Sequence, residues 1–258
     1  MNPLRARLGE LQVAVMLLTR LPAGRIAGEA PSLAAARWAF PLVGALVGLI
    51  GWAGLAGSMA LGAAPLLAAG LAVAAQVLAT GALHVDGLAD FADGIGGGRD
   101  RAHCLEIMRD SRIGSYGVMA LILATGLWCA ALAQLAPQVG SGAGAGWFVL
   151  VGMFSRGAMV GLQEVLPPAR SDGLGRLASG RSRAARGLLM GLALLGLVLA
   201  GGAGLVLGLL CSGVAGALGW LAWRRIGGVT GDVLGAVQLL SELACWAALA
   251  LLLAPWAP

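Results

Sequence analysis

The stretch WAFPLVGALVGLIGWAGLAGSMALGAAPLLAAGLAVAAQVLATGAL, residues 38–83, carries no Asp, Glu, Arg or Lys. Two further intervals are equally silent, from Ile113 to Ser155 and from Gly187 to Trp223. A helix needs ~20 apolar residues to cross a bilayer, so each interval has room for two crossings. Backbone polar groups inside hydrocarbon must be satisfied within the segment, which favours helices. Gly and Pro then punctuate the intervals. GAAP at 62–65 divides the first into spans near 38–62 and 66–84, and APQVGSGAGAG at 136–146 divides the second into 117–136 and 147–163. As one helix the third would be ~55 Å long, too much for a ~30 Å core. Gly201, Gly202 and Gly204 supply its break, giving 185–200 and 204–223, and a last span covers 234–254. The fold class is all-α: a polytopic transmembrane helical bundle of about seven spans.

Composition agrees. Of 258 residues, 59% are apolar and 11% charged, against roughly 25% charged in a soluble domain. The 43 glycines follow no collagen-like period, and the mean hydropathy of +0.88 excludes a disordered chain. Residues 1–258 read as a single integral membrane domain. The N-terminal MNPLRARLGELQVAVMLLTRLP is interrupted by Glu10 and closed by Arg20, so 1–37 reads as an interfacial or re-entrant segment rather than a signal peptide. Cys104, Cys129, Cys211 and Cys245 show no metal-ligand spacing and read as apolar thiols.

Every one of the 17 basic residues is Arg. They precede the first span or occupy the connections after spans two, four and six, and only Arg156 stands apart. Positive charge marks cytoplasmic loops, so the expectation is a multi-pass protein of the cell inner (cytoplasmic) membrane, with the N-terminus inside and the C-terminus outside. The pI near 9.8 then reflects orientation and not nucleic-acid binding.

Carboxylates contribute little to orientation, yet Asp86, Asp90, Asp93, Asp100, Glu106 and Asp110 crowd into one such segment, 84–117. Asp86, Asp90 and Asp93 are spaced i, i+4, i+7, which on a helix places them within about 60° of arc. Carboxylates so arranged repel at neutral pH unless a cation neutralises them or one is protonated. A hard divalent ion with oxygen ligands, Mg²⁺ or Mn²⁺, meets that need. Glycines 94 and 96–98 end that helix, and DRAHCLEIMRDSR reads as a second one carrying Glu106 and Asp110 at i, i+4. Arg109 and Arg112 suit bidentate contact with phosphate oxygens. Metal, arginines and a glycine turn together point to phosphoryl transfer.

HVDGLADFADG at 84–94 and LEIMRDSRIGSYG at 105–117 resemble the cobalamin synthase family, whose members are adenosylcobinamide-GDP ribazoletransferases or cobalamin-5'-phosphate synthases. TRLP at 19–22, FPLVG at 40–44, SRG at 155–157, GLG at 173–175 and GGVTGDVLGA at 227–236 extend the resemblance over nearly the whole chain. One departure is Gln238, where the pattern leads one to expect an acid; Glu242 is retained. The resemblance implies an enzyme that joins adenosylcobinamide-GDP to α-ribazole or its 5'-phosphate and releases GMP. Asp90-Phe-Ala-Asp93-Gly94 echoes part of the acidic signature of CDP-alcohol phosphotransferases.

On that basis Asp86, Asp90, Asp93 and Asp110 are the candidate metal ligands and catalytic groups, with Asp110 as the general base. The candidate substrate-binding residues are His84, Arg109, Ser111, Arg112, Arg156, Arg225, Thr230 and Asp232. Arg156 lies inside span four with Glu242 of span seven as its candidate partner, in either a structural or a substrate role. Asp232 opens the last span, where an acid favours the helix dipole. The alternative is a membrane transporter of a phosphorylated or corrinoid small molecule, but most ionisable groups gather at one face rather than along a crossing. Glycine-rich helices pack within or between subunits, so a homo-oligomer stays open.

Overall fold

The computed structural model describes residues 3–26, 28–140 and 142–253. The tail 254–258, on which the expectation of an outward C-terminus rests, lies outside the described residues. Among them the regular secondary structure is helical, with one isolated bridge between Pro168 and Val229 in the connecting loops. The helices are α1 (Pro3–Leu18), α2 (Leu33–Ala36), α3 (Phe40–Ala60), α4 (Pro65–Thr80), α5 (Leu83–Gly97), α6 (Arg101–Ile107), α7 (Ser115–Val139), α8 (Ala145–Val165), α9 (Gly173–Leu177), α10 (Arg183–Ile226) and α11 (Gly231–Leu253).

Five helices are long and apolar enough to cross a membrane, or six if the α4–α5 pair forms one broken span. The expected division of 185–223 into two arms is borne out within α10, where Gly201 leaves helical geometry (φ 53°, ψ −131°). No Cβ fits at Gly204 because the carbonyl of Gly196 lies there. Residues eight apart in a straight helix stand ~12 Å apart, so the chain reverses at Gly201. The expected single span over 66–84 is corrected. α4 stops at Thr80, and α5 leaves it at 89°. Gly81 and Ala82 make the elbow, both at φ 60°, a conformation that costs an alanine ~1–2 kcal/mol. The acidic stripe therefore lies on a helix set at 89° to α4 rather than on its straight continuation.

α8 and α11 form the buried centre. α8 packs on α3, α10 and α11, while α11 packs on α5, α7, α8 and α10. α3 and α8 touch backbone to backbone, since neither Gly44 nor Gly152 has room for a Cβ, the close approach that small residues permit in membranes. Phe148 and Trp246 fill the middle with ring centroids 4.5 Å apart. Met119, Ile122, Leu123 and Leu127 of α7 and Leu194, Val198, Leu205 and Leu209 of α10 point outward. An exposed apolar belt of that kind suits lipid. α1 buries Val13, Ala14 and Leu18 against the bundle and leaves Leu4, Leu8 and Met16 outside.

The arginine-bearing connections meet at one end. Arg101 donates to the carbonyl of Ala169 (3.1 Å), Arg170 to Leu105 (2.8 Å) and Arg225 to Gly98 (2.6 Å). Arg37, fully buried, bonds Glu164 (2.8 Å) and the carbonyl of Gly180, and Glu164 also accepts from the Ser182 amide (3.1 Å). The Arg20 amide donates to Ala79 at 2.7 Å. The grouping of these loops on one side, expected from charge alone, is thus a packed frame.

Candidate active site

Three helices and two loops build the acidic site. α5 carries Asp86, Asp90 and Asp93 and lies against α11, with Gly87 and Gly235 at the crossing. A Cβ on Gly87 would stand 3.1 Å from the Gly235 Cα, so small residues set how close the two helices come. That approach brings Asp232, in the first turn of α11, beside the stripe. Thr230 caps α11 through a bond from the Val233 amide to its Oγ1 (3.3 Å), while its hydroxyl donates to Asp232 (3.0 Å). Next to it, the Ala169 amide donates to the Val229 carbonyl (2.8 Å) and the Val229 amide to the Pro167 carbonyl (2.9 Å). This short ladder holds Arg170 3.9 Å from Asp232.

The charges at this point are unbalanced. Burial, and then repulsion from Asp86, Asp232 and Asp93, raises the Asp90 carboxyl to about 7, and Arg170 is the cation that offsets them. Burial pulls the Arg170 guanidinium below its usual range, and Asp232 opposes that shift. Asp86 is exposed and Asp90 half-buried, and neither has a hydrogen bond or ion pair among the described residues.

The other predicted acids have partners. Asp93 is buried, and its oxygens accept from the Gly114 amide (2.7 Å) and the Gly117 amide (2.9 Å). A Cβ at either glycine would collide with this carboxylate, which explains the spacing of Gly114 and Gly117 and ties α5 to the start of α7. α6 ends at Ile107, so the expected second helix through Asp110 is corrected. Asp110 sits in a turn instead, bound by Arg112 through Nε (3.0 Å) and Nη2 (2.5 Å). That guanidinium holds the Asp110 carboxyl down at about 2. Arg109 grips Asp172 (2.6 and 2.7 Å). Ser111 is exposed on the same turn, and Arg225 is spent on the end of α5.

Among the described residues no three His, Cys, Asp or Glu side chains form a ready metal cage. Mg²⁺ does not require one, since it is commonly held by one or two carboxylates together with substrate phosphates and water. Hard oxygen donors that repel one another suit such an ion; Asp86 and Asp90, without side-chain hydrogen bonds among the described residues, are the candidates, with Asp232 beside them already bonded to Thr230.

Residues 10–250 match the family model described as cobalamin-5-phosphate synthase. The chain belongs to that family. A relative from Bradyrhizobium diazoefficiens named adenosylcobinamide-GDP ribazoletransferase is 44% identical over 93% of this chain and 92% of its own length. Relatives of the same name from Xanthobacter autotrophicus (47% identical, covering 91% and 92%) and Sinorhizobium medicae (42%, covering 97% and 99%) are similar to it throughout. No solved structure matches.

In this cobalamin-5-phosphate synthase family member, the pairing of Arg156 with Glu242 is present at 3.1 Å, fully buried between α8 and α11. Gln238 donates to the same Glu242 oxygen at 2.5 Å and to Ser155 at 3.2 Å. The departure at 238 thus has a physical reading: an amide there supplies the donor that a second acid would lack. His84 is buried, feels the Arg156 charge, and lines both the chamber around Glu242 and a cavity that reaches Asp86. Sequence reasoning missed two residues beside the site, Arg170 and Gln163. Arg170 lay among five loop arginines with nothing to single it out, whereas Gln163 was a visible signal, a lone amide near the end of an apolar span.

Proposed function

We propose that this chain transfers the adenosylcobinamide phosphate of adenosylcobinamide-GDP onto α-ribazole or its 5'-phosphate, releases GMP, and depends on Mg²⁺, for which Mn²⁺ can substitute. The printed names of its relatives support the reaction. The observation that carries the mechanism is the pair Asp86 and Asp90, left without partners beside Asp232 and one guanidinium, Arg170.

The acceptor's ribose hydroxyl gives its proton to a carboxylate of the stripe and forms a P–O bond to the phosphorus nearer the corrinoid arm. The bond from that phosphorus to the bridging oxygen breaks, and GMP departs with the electron pair. Asp110 is a weak candidate for the proton acceptor because Arg112 keeps it so acidic, so the role passes to Asp86 or Asp90. Arg170 stands where a guanidinium can bind the diphosphate. Asp86 and Asp90, with Asp232 beside them, would hold a divalent ion, which would supply positive charge to the diphosphate. The arginine-rich end faces the cytoplasm of the inner membrane in this reading.

The test is GMP release by the purified chain in detergent from adenosylcobinamide-GDP and α-ribazole, with and without EDTA. Release that requires α-ribazole and stops with EDTA is expected. Absence of GMP refutes the transferase reading in favour of transport, and indifference to EDTA refutes the metal.

A further inference from the structure

A cavity of about 220 Å³ opens beside the acidic stripe, enclosed by α1, α5, α8 and α11. Leu17, Leu18, Phe40 and Met159 form apolar walls, and Asp86 and Asp232 stand on its lining as well. Two further polar side chains reach it, both buried beyond nine-tenths: Gln163, whose Oε1 has no partner, and His84, whose Nε2 has none. Burying an unpaired polar group costs ~1–3 kcal/mol. Two residues that carry such an atom line this cavity beside carboxylates, which suits a ligand able to bond them.

Resting on the transferase reading, we propose that this cavity seats the aromatic base of the acceptor, with the Gln163 amide reading its unsubstituted ring nitrogen. The cavity is too small for a corrin ring. A guanine edge carries several donors and acceptors, of which Gln163, His84 and the two carboxylates could meet only part, while Leu17, Phe40 and Met159 offer none. The benzimidazole of α-ribazole is planar and apolar with one lone-pair nitrogen, which matches a greasy slot offering one or two polar groups. A base seated there places the attached ribose toward Asp86 and Asp232, where the attacking hydroxyl is needed. The Gln163 amide turns about its last bond to present its N–H to that nitrogen.

The experiment measures binding of α-ribazole to the full-length chain in detergent by equilibrium dialysis, alongside KM for both substrates. Gln163→Leu is expected to weaken α-ribazole binding about tenfold and to raise its KM equally, with the KM for adenosylcobinamide-GDP changed less than about twofold. Met159→Trp, which fills the slot, is expected to do the same. An indole riboside, which lacks the acceptor nitrogen, should bind wild type about tenfold more weakly than α-ribazole and bind Gln163→Leu no differently, so the wild-type comparison stands if that variant fails to fold; equal wild-type affinity for the two ribosides overturns the assignment. Unchanged α-ribazole affinity in Gln163→Leu and Met159→Trp, or equal loss for both substrates, overturns the assignment. α-Ribazole binding that depends on Gln163 without GMP release would retain the pocket and remove the transferase reading. Release with an unperturbed acceptor Kd does the reverse.

Discussion

Replacing Glu242 by Leu strands Arg156 in the middle of the bundle. Both side chains are 2% exposed, and the Arg156 Nε already lacks a partner. The substitution removes the ion pair at 3.1 Å and the Gln238 bond at 2.5 Å. Interhelical hydrogen bonds in membranes average only ~0.6 kcal/mol each, so those bonds are the smaller part of the loss. The larger part is a guanidinium left buried without its counter-charge, which costs about 3–5 kcal/mol. At about 2–4 °C per kcal/mol for a chain near this length, the Tm in detergent should fall by about 6–20 °C. The double variant Arg156→Met with Glu242→Leu removes both charges and should recover most of that fall. A thermal series on the wild type, both single variants and the double variant by size-exclusion chromatography closes the cycle. A Glu242→Leu protein within about 1 kcal/mol of wild type, or a double variant no better than the worse single one, refutes the argument. GMP release by the refolded double variant would mark the pair as structural, and its absence as part of the substrate path.

Asp86→Asn and Asp90→Asn should each reduce GMP release by more than about a hundredfold while leaving elution and Tm unchanged, because neither carboxylate bonds the fold; a lowered Tm would count against their freedom. Asp93→Asn should lose Tm as well as activity, since both of its oxygens hold α7, and unchanged thermal stability would contradict that role. Asp110 ionises at about 2; its folded value lies below the usual one, so its charge is complete above about pH 4 and lost only as pH falls toward 2. Asp110→Asn should therefore keep any limb of the rate profile between pH 5 and 9, and a limb that vanishes would assign the titration to Asp110. Ala82→Gly relieves the left-handed elbow and should add up to about 1 kcal/mol, read as a higher Tm with unaltered KM; a lower Tm would show that the alanine methyl packs.

The spans were legible because hydrophobic crossings leave long uncharged runs, and Gly201 announced its reversal as one of three glycines in mid-interval. The Asp86–Asp90–Asp93 stripe was legible for the same reason in reverse, as charge where none belongs. Two features were not. Nothing in TGAL at 80–83 declares an 89° turn, because Ala82 carries the second left-handed position against its own preference. Asp110 was assigned to a helix by spacing, but spacing does not reveal that Arg112, two residues on, folds back to claim it. Partner choice among clustered charges is decided by tertiary placement, which also hid Arg170 until the Pro168–Val229 ladder set it beside Asp232.

That partner choice is what gives the stripe its chemistry. Arg37 and Arg186 are engaged by Glu164, Arg109 by Asp172 and Arg112 by Asp110. Arg101 and Arg225 are engaged by carbonyls. These contacts join 98–114, 165–182 and the end of α10 into one rigid frame around α5, and Asp93 fastens α5 from beneath by capping α7. These guanidiniums are thus engaged in building the walls, and Arg170, which also donates to the Leu105 carbonyl, stands 3.9 Å from Asp232 beside the stripe. Asp86 and Asp90 are left without a hydrogen bond or ion pair from their side chains among the described residues, and burial with mutual repulsion holds the Asp90 carboxyl up at about 7. A fold that engages the neighbouring cations elsewhere while holding two carboxylates open leaves room for positive charge at the stripe, and the proposed divalent ion would take that place.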